Sequence, residues 1–284
     1  MSRYPFPIPF GWYLLASPAD LPRPGDDAIL LTRFGHEVVV ERLGSGAIEV
    51  SDALDDVDGR RLWPTVERGG FTFAWHHPAA VAPTWELPDL APFDEPAPEG
   101  TIEAETRVEV RACLQEITEN GYDEAHLTHV HGTTAAHELT FTDEGDHRSH
   151  LQAVIRYDTA RGPMEQTIDN RSFGPGFGLV HFAGIVDTWF LAMGTPITED
   201  RTAVHFAYRF RAADGGPADP RTVRAYLAEI ERQYRQDTVI WEHKAYLSRP
   251  ALTDGEQIIT RFRRWYRQFY DQAALASTST TQTT

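Results

Sequence analysis

Glu119-Asn120-Gly121-Tyr122-Asp123-Glu124-Ala125-His126-Leu127-Thr128-His129-Val130-His131-Gly132 is the stretch that decides how this chain reads. It places an acid and two imidazoles within a turn or two of helix, with a glycine where the helix should stop. Asp123 lies three residues before His126 and so shares its helical face. His126 and His131 are five apart, which on a regular α-helix separates them by roughly 140° around the axis. They converge on one point only if the helix widens locally or ends between them, and Gly132 makes an ending plausible. Two imidazoles and one carboxylate on one face, with open positions left over, is the donor set used for ferrous iron in oxygen chemistry.

The third donor must come from elsewhere in the chain. Asp219-Pro220 opens a long amphipathic segment, with Asp219 as N-cap and Pro220 at the first helical position, predicting a helix to about Tyr246. Its apolar stripe runs Val223, Leu227, Ile230, Tyr234, Asp237, Trp241 in steps of four, three, four, three and four. Asp237 sits on that stripe, where a lone carboxylate is costly unless it is paired, protonated or bound to a metal.

Around these two segments the texture is β-rich. Ala28–Leu31 and Val38–Val40 read as short strands, and Thr65–Trp75 as a hairpin turned by Gly69-Gly70. A proline-rich connector over 76–100 follows. Thr101–Ile117, Leu151–Tyr157, Leu179–Phe182, Thr188–Met193 and Ala203–Arg211 read as further strands, the last two joined around Thr198–Thr202. A second amphipathic stretch spans Ile258–Tyr270. The expected architecture is therefore α+β, an antiparallel sheet gripped by a long C-terminal helix, with a ligand cavity between the two. The expected organisation is a truncated N-terminal β region with its connector over 1–98, a metal-binding domain over 99–276, and a disordered low-complexity tail over 277–284.

Bulk properties narrow the function. The chain has 284 residues, a formal net charge of −16 and one cysteine, Cys113. The charge argues against nucleic-acid binding, which needs a cationic surface. No run of about 18 apolar residues predicts a membrane span, and the proline-rich start does not read as a signal peptide. The expectation is a cytoplasmic protein. One cysteine excludes an intramolecular disulfide and any all-cysteine metal site.

Taken together, Asn120-x-x-Asp123-x-x-His126-x-x-x-x-His131-Gly132 resembles the iron-binding motif of Rieske-type non-haem iron oxygenases. The steroid-acting subgroup, 3-ketosteroid hydroxylases and cholesterol desaturases, is the nearest in appearance. The similarity takes in Phe10–Ala16, Pro64–Trp75, Gln236–Lys244, Arg249-Pro250 and Arg263–Tyr270. The resemblance implies a helix-grip catalytic domain with a mononuclear Fe(2+) held by His126, His131 and Asp237. It implies for Asp123 the role of the acid that bridges toward a neighbouring subunit's cluster, and it implies a trimer. This chain departs from the pattern at one place. A Rieske cluster needs two Cys and two His, and the sequence passes from Val50–Gly59 almost directly into Trp63-Pro64, so no [2Fe-2S] cluster is expected here.

The expected function is an iron oxygenase acting on a bulky apolar, steroid- or polyketide-like molecule. Its electrons would come from a separate Rieske protein or ferredoxin, with Asp123 as the entry point. Without the cluster, the trimer loses its functional reason, which leaves a monomer or dimer open. The alternative is a redox-neutral cyclase or isomerase of natural-product, antibiotic-like biosynthesis, in which the cavity holds reacting ends together; a third reading is a non-catalytic subunit. Other histidines read as bystanders. His137-Glu138 lacks the second histidine of a zinc-protease motif, His129 reads as exposed or outside the donor set, and His76, His77, His147 and His150 read as solvated. Trp189, Phe206 and Tyr208 are candidates for a pocket wall.

Overall fold

A computed structural model describes residues 3–53, 60–132, 134–159, 162–250 and 257–272. The side chains of 134–138 and 158–159 lie outside that description, as do the expected tail over 277–284 and the His137-Glu138 pair. The N-terminal third forms two small sheets. β1 (Gly11–Ala16), β5 (Thr65–Arg68) and β6 (Phe71–His76) make one, in the order β1-β6-β5. β2 (Ile29–Arg33), β3 (His36–Arg42) and β4 (Ile48–Asp52) make the other. The expected hairpin is β5–β6, and Gly69 and Gly70, at φ +56° and +80°, supply the positive-φ pair its two-residue turn demands.

The rest of the sheet structure is one seven-stranded antiparallel array in the order β7-β13-β12-β11-β10-β9-β8. Its strands are β7 (Ile102–Val110), β8 (Thr134–Asp143), β9 (Arg148–Thr159), β10 (Gly162–Phe173), β11 (Phe177–Ala183), β12 (Val186–Thr198) and β13 (Arg201–Ala212). Antiparallel pairing lets the two faces differ in company. One face carries Phe177, Leu191, Met193 and Ala207, which bury against Trp12, Phe73 and Trp75 of the N-terminal region. The opposite face carries Val180, Phe190, Tyr208 and Phe210, which meet Val223 of the long helix.

That helix, α3 (Pro220–His243), begins as expected: the Asp219 carboxylate accepts from Thr222 N at 2.9 Å. It packs chiefly on β7 and β12 and touches the helix α2 (Glu124–His131). α4 (Gln257–Tyr266) closes the far side, where Phe262, Trp265 and Tyr266 pack on Tyr122, Phe141 and Leu151.

Two expectations fail locally. Thr101–Ile117 is not one strand, because β7 stops at Val110 and α1 (Leu114–Glu119) begins. The buried helix carries Gln115 and Glu116 inside as well as Leu114, a pattern that alternation masks. His76 and His77 are not solvated either. His76 is sandwiched between Phe34, at 4.2 Å and nearly parallel, and Trp63 at 5.6 Å. Burial pushes its imidazole down to about 3, with His36 and Arg61 adding to the effect, so the ring is neutral at ordinary pH. His150 is likewise tied down, 2.9 Å from Asp169, and His147 stacks on Trp85.

Candidate metal centre

Tyr122 ends a 3₁₀ turn that joins α1 to α2, and Asp123 then leaves helical geometry at φ −100°, ψ 98° to cap α2. Its carboxylate accepts from His126 N at 3.0 Å. The acid so fixes the first turn of the helix that carries both histidines. At the other end Gly132 takes φ +68°, ψ +29°, and its N–H bonds to Leu127 O. That bond reaches back five residues rather than four, which widens the last turn. The spacing that would hold His126 and His131 apart on a regular helix is thus relieved at the glycine, and their Nε2 atoms lie 3.1 Å apart.

Asp237 completes the group from α3. Its Oδ1 lies 2.8 Å from His126 Nε2 and 3.1 Å from His131 Nε2, and all three side chains are nearly enclosed. Among the described residues this is the one group of three such side chains close enough to share an ion. The three separations have a specific meaning. Donors about 2.1 Å from a common ion at right angles to one another are about 3.0 Å apart, so these atoms sit as one face of an octahedron. The donor set therefore fits a facial two-histidine, one-carboxylate site for ferrous iron. Burial by itself would raise the Asp237 pKa, but hydrogen bonding to His126 and His131 and their charge outweigh it and hold the carboxyl below its ordinary range.

Two neighbours went unassigned at the level of sequence. Gln236 Oε1 lies 3.4 Å from His131 Nδ1, placed to accept a hydrogen bond from the Nδ1–H tautomer and leave Nε2 for a metal. Asn120 Nδ2 lies 3.0 Å from His126 Nε2, at the rim of the donor face. Adjacency to Asp237 was the one available signal for Gln236; Asn120 stood in the motif without a role.

A buried charge cluster braces the two donor elements. Lys244, the residue that caps α3, reaches Glu116 at 2.9 Å and Glu119 at 3.3 Å on α1. Arg263 of α4 grips Glu119 through Nε at 2.5 Å and NH2 at 2.7 Å. The end of α3 that bears Asp237 is thereby tied to the helix that leads into the histidines.

Residues 74–270 match the family described as the 3-Ketosteroid 9alpha-hydroxylase C-terminal domain. The chain belongs to this family. It is 28% identical over 225 residues to the oxygenase component of 3-ketosteroid-9-alpha-monooxygenase from Rhodococcus rhodochrous, covering 74% of this chain and 59% of that protein. It is 28% identical over 242 residues to the cholesterol 7-desaturase of Bombyx mori, covering 76% and 50%. The chain thus spans 50% to 59% of the length of these two curated relatives. The crystal structure of dicamba monooxygenase bound to 3,6-dichlorosalicylic acid superposes with a TM-score of 0.70 at 16% identity, over 94% of this chain and 98% of that one. NdmB of Pseudomonas putida CBB5 gives 0.65 at 13%, over 90% and 89%. The expected α+β helix-grip fold is that of this family.

The remaining candidates separate by face. His129 is exposed. Phe206 and Tyr208 face α3 beside Tyr234 and Phe190, whereas Trp189 stacks on His181 on the opposite face of the sheet. Among the described residues no helix is long and apolar enough to cross a membrane.

Proposed function

We propose that this protein is a mononuclear non-haem iron oxygenase acting on a bulky apolar molecule of steroid- or polyketide-like character. One observation carries the reading: three buried donors from two distant segments, each about 3 Å from the others, on a helix end widened to bring them together. His126, His131 and Asp237 would hold the metal, and ferrous iron bound there would supply the one-electron chemistry that activates dioxygen. Relatives named for 3-ketosteroids and cholesterol support an apolar substrate.

The residues themselves have separable work. His126 and His131 present Nε2; Gln236 holds the His131 ring in the tautomer that leaves Nε2 free; Asp237 contributes the negative charge that favours a dication. The donors themselves are nearly enclosed, which strengthens every charge interaction among them. These 284 residues contain one cysteine and cannot furnish a two-Cys, two-His cluster set. On this reading the electrons arrive from a separate Rieske protein or ferredoxin. Asp123 is the entry point on this reading, since its carboxylate is joined to the ligand helix through the His126 N–H.

The test is iron analysis after anaerobic loading, then oxygen consumption with a steroid and a reduced ferredoxin or Rieske donor. About one iron per chain and substrate-dependent oxygen uptake are expected, with both lost in Asp237→Ala. Turnover that survives removal of the metal would defeat the oxygenase reading in favour of a redox-neutral cyclase.

A further inference from the structure

α4 and the turn after it are charged in a way that neither the core nor the metal centre requires. Residues 257–270 hold four arginines and no acid, in a chain with 42 acids against 26 arginines and lysines. The inner face is apolar and buried through Ile259, Phe262, Trp265 and Tyr266. The outer face carries Arg261, Arg264 and Arg267, all exposed. Spaced three apart, they form one row about 9 Å long in which like charges repel. The helix dipole favours a cation in the last turn, and Arg263 meets that need. Exposed arginines elsewhere are neutralised: Arg107 by Asp20, Arg201 by Glu109 and Arg232 by Glu229. On α4 the ion pairs among the described residues belong to Arg263, which reaches Glu116 and Glu119. Arg261 gives an N–H to Phe141 O at 2.6 Å, a contact that leaves its charge uncompensated.

The row lies over the segment that leads into the donors. On the inner face of the same helix Phe262 stacks on Tyr122, with ring centroids 4.3 Å apart and planes 22° from parallel. Tyr122 immediately precedes Asp123, whose carboxylate holds the first turn of the ligand helix through the His126 N–H. The neighbouring charges set the edges of the row. Trp265 Nε1 donates to Arg148 O at 3.1 Å, which brings the β8–β9 turn with its exposed Asp143, Glu144 and Asp146 along one side of α4. Arg267 stands toward the other side, beside Tyr246. Asp271, the next acid along the chain, lies near His77.

We propose that the Arg261, Arg264 and Arg267 row is the docking surface for the electron donor, and that this donor is an acidic iron–sulfur protein. The inference rests on the oxygenase reading and adds to it where the partner sits and what charge its contact face carries. The net charge of −16 repels an acidic protein at long range, but at physiological ionic strength that field is screened beyond about 8 Å. Inside that distance the row decides, attracting an acidic face and steering it onto α4. The acidic β8–β9 turn repels the same face and so limits how the partner is turned. A lipid surface suits the row less well. A basic helix binds a membrane by burying its apolar face in it, and Phe262 and Tyr266 are already fully buried in this protein.

The probe is an acidic plant-type [2Fe-2S] ferredoxin, titrated by calorimetry into the full chain without iron, so that binding is read apart from turnover. Arg264→Glu with Arg267→Glu should weaken binding about tenfold, the scale of two exposed ion pairs turned to repulsion. Arg221→Glu with Arg224→Glu makes the same change in net charge at the exposed start of α3 and should stay within about twofold of wild type. Arg264→Gln with Arg267→Gln, expected to lose about threefold, replaces the first pair if circular dichroism shows that reversal perturbs the fold. Equal losses for the α3 and α4 pairs would reduce the effect to net charge and overturn the inference. So would an unchanged affinity in the α4 variants, or binding of anionic phospholipid vesicles with none of the ferredoxin. Iron-loaded protein separates the two readings. If it takes up oxygen with dithionite but the wild type binds no ferredoxin, the docking surface falls and the oxygenase reading stands. If the α4 pair alone loses affinity while the chain loads no iron, the surface stands and the oxygenase reading falls.

Discussion

Gly132→Ala tests the link between backbone and donor geometry. Gly132 sits at φ +68° with nothing within 4 Å of where a Cβ would stand, so the substitution meets no clash. What remains is conformational. Holding an L-residue in the left-handed region costs about 1–2 kcal/mol, and the stiffer unfolded chain returns about 0.4–1. The net loss is about 1 kcal/mol, or roughly 2–4 °C in Tm for a protein of this size class. The same strain is relieved if the residue leaves the left-handed region, which breaks the bond from its N–H to Leu127 O and turns His131 away from Asp237. Metal affinity should therefore fall more than stability does. Gly132→Asn provides the control, because asparagine tolerates this conformation, and it should retain most of both properties. The assays are urea denaturation of the metal-free protein and titration with Co²⁺ as a spectroscopic stand-in for iron. If Ala matches Gly in both, or Asn does no better than Ala, the widened helix end is not what brings the histidines together.

Asp237→Asn keeps the size and removes the charge. In the wild type a metal at a hundred times its Kd should add about 2.7 kcal/mol of stability; the variant should show no metal-dependent rise in Tm, and a full rise would remove Asp237 from the donor set. His76 predicts an acid-sensitive N-terminal region. Its folded pKa, about 3, is below the 6.5 of the unfolded chain, so its stability contribution is complete above pH 6.5 and falls by about 1.4 kcal/mol per unit as pH drops toward 3. His76→Phe should flatten that slope in urea melts taken from pH 7 to pH 5, and an unchanged slope would refute the assignment. Glu116 runs the other way. Burial raises its pKa, Lys244 opposes, and Glu119 adds to the rise, so the ionised form weakens the fold at pH above that raised value. Glu116→Gln should melt higher than wild type at pH 8, with the difference disappearing below pH 4.5; a lower melting point at pH 8 would contradict the sign.

What the sequence could and could not disclose follows from how far each signal reaches. Asp237 was legible because the stripe on α3 has a period and a carboxylate breaks it. The β5–β6 hairpin was legible because Gly69-Gly70 is a local turn signal. β1 gave no pattern, since all six of its residues are buried and nothing alternates. β10 gave none for the opposite reason: one of its faces mixes Gln166 and Asn170 with Met164 and Ile168, so apolar and polar residues do not alternate. α1 was hidden because Glu116 and Glu119 point inward, and what makes that tolerable is Lys244 and Arg263, more than a hundred residues away. No window along the chain contains both halves of such a pair.

The N-terminal region follows a separate physical logic from the metal centre. A domain that holds a metal cluster draws much of its folding free energy from the ligands. Here the interior beside the two small sheets is filled by Tyr13, Phe34, Val38, Val40, Val50 and Trp63, with the neutral His76 ring stacked among them. These contacts are apolar and need no ion. The aromatic side chains Trp12, Phe73 and Trp75 then bury against the outer face of the large sheet, on Phe177, Leu191 and Met193. That is the face opposite the one α3 grips. The region can therefore support β11 and β12 from the face opposite α3, and weakening it should lower stability without changing metal affinity. Trp75→Ala, which removes a fully buried indole at a cost of about 3–5 kcal/mol, separates the two. Co²⁺ affinity measured below the melting point should stay within about twofold of wild type, since 1.4 kcal/mol of coupling would already show as tenfold. A tenfold loss would mean that the two faces of the sheet are energetically one unit.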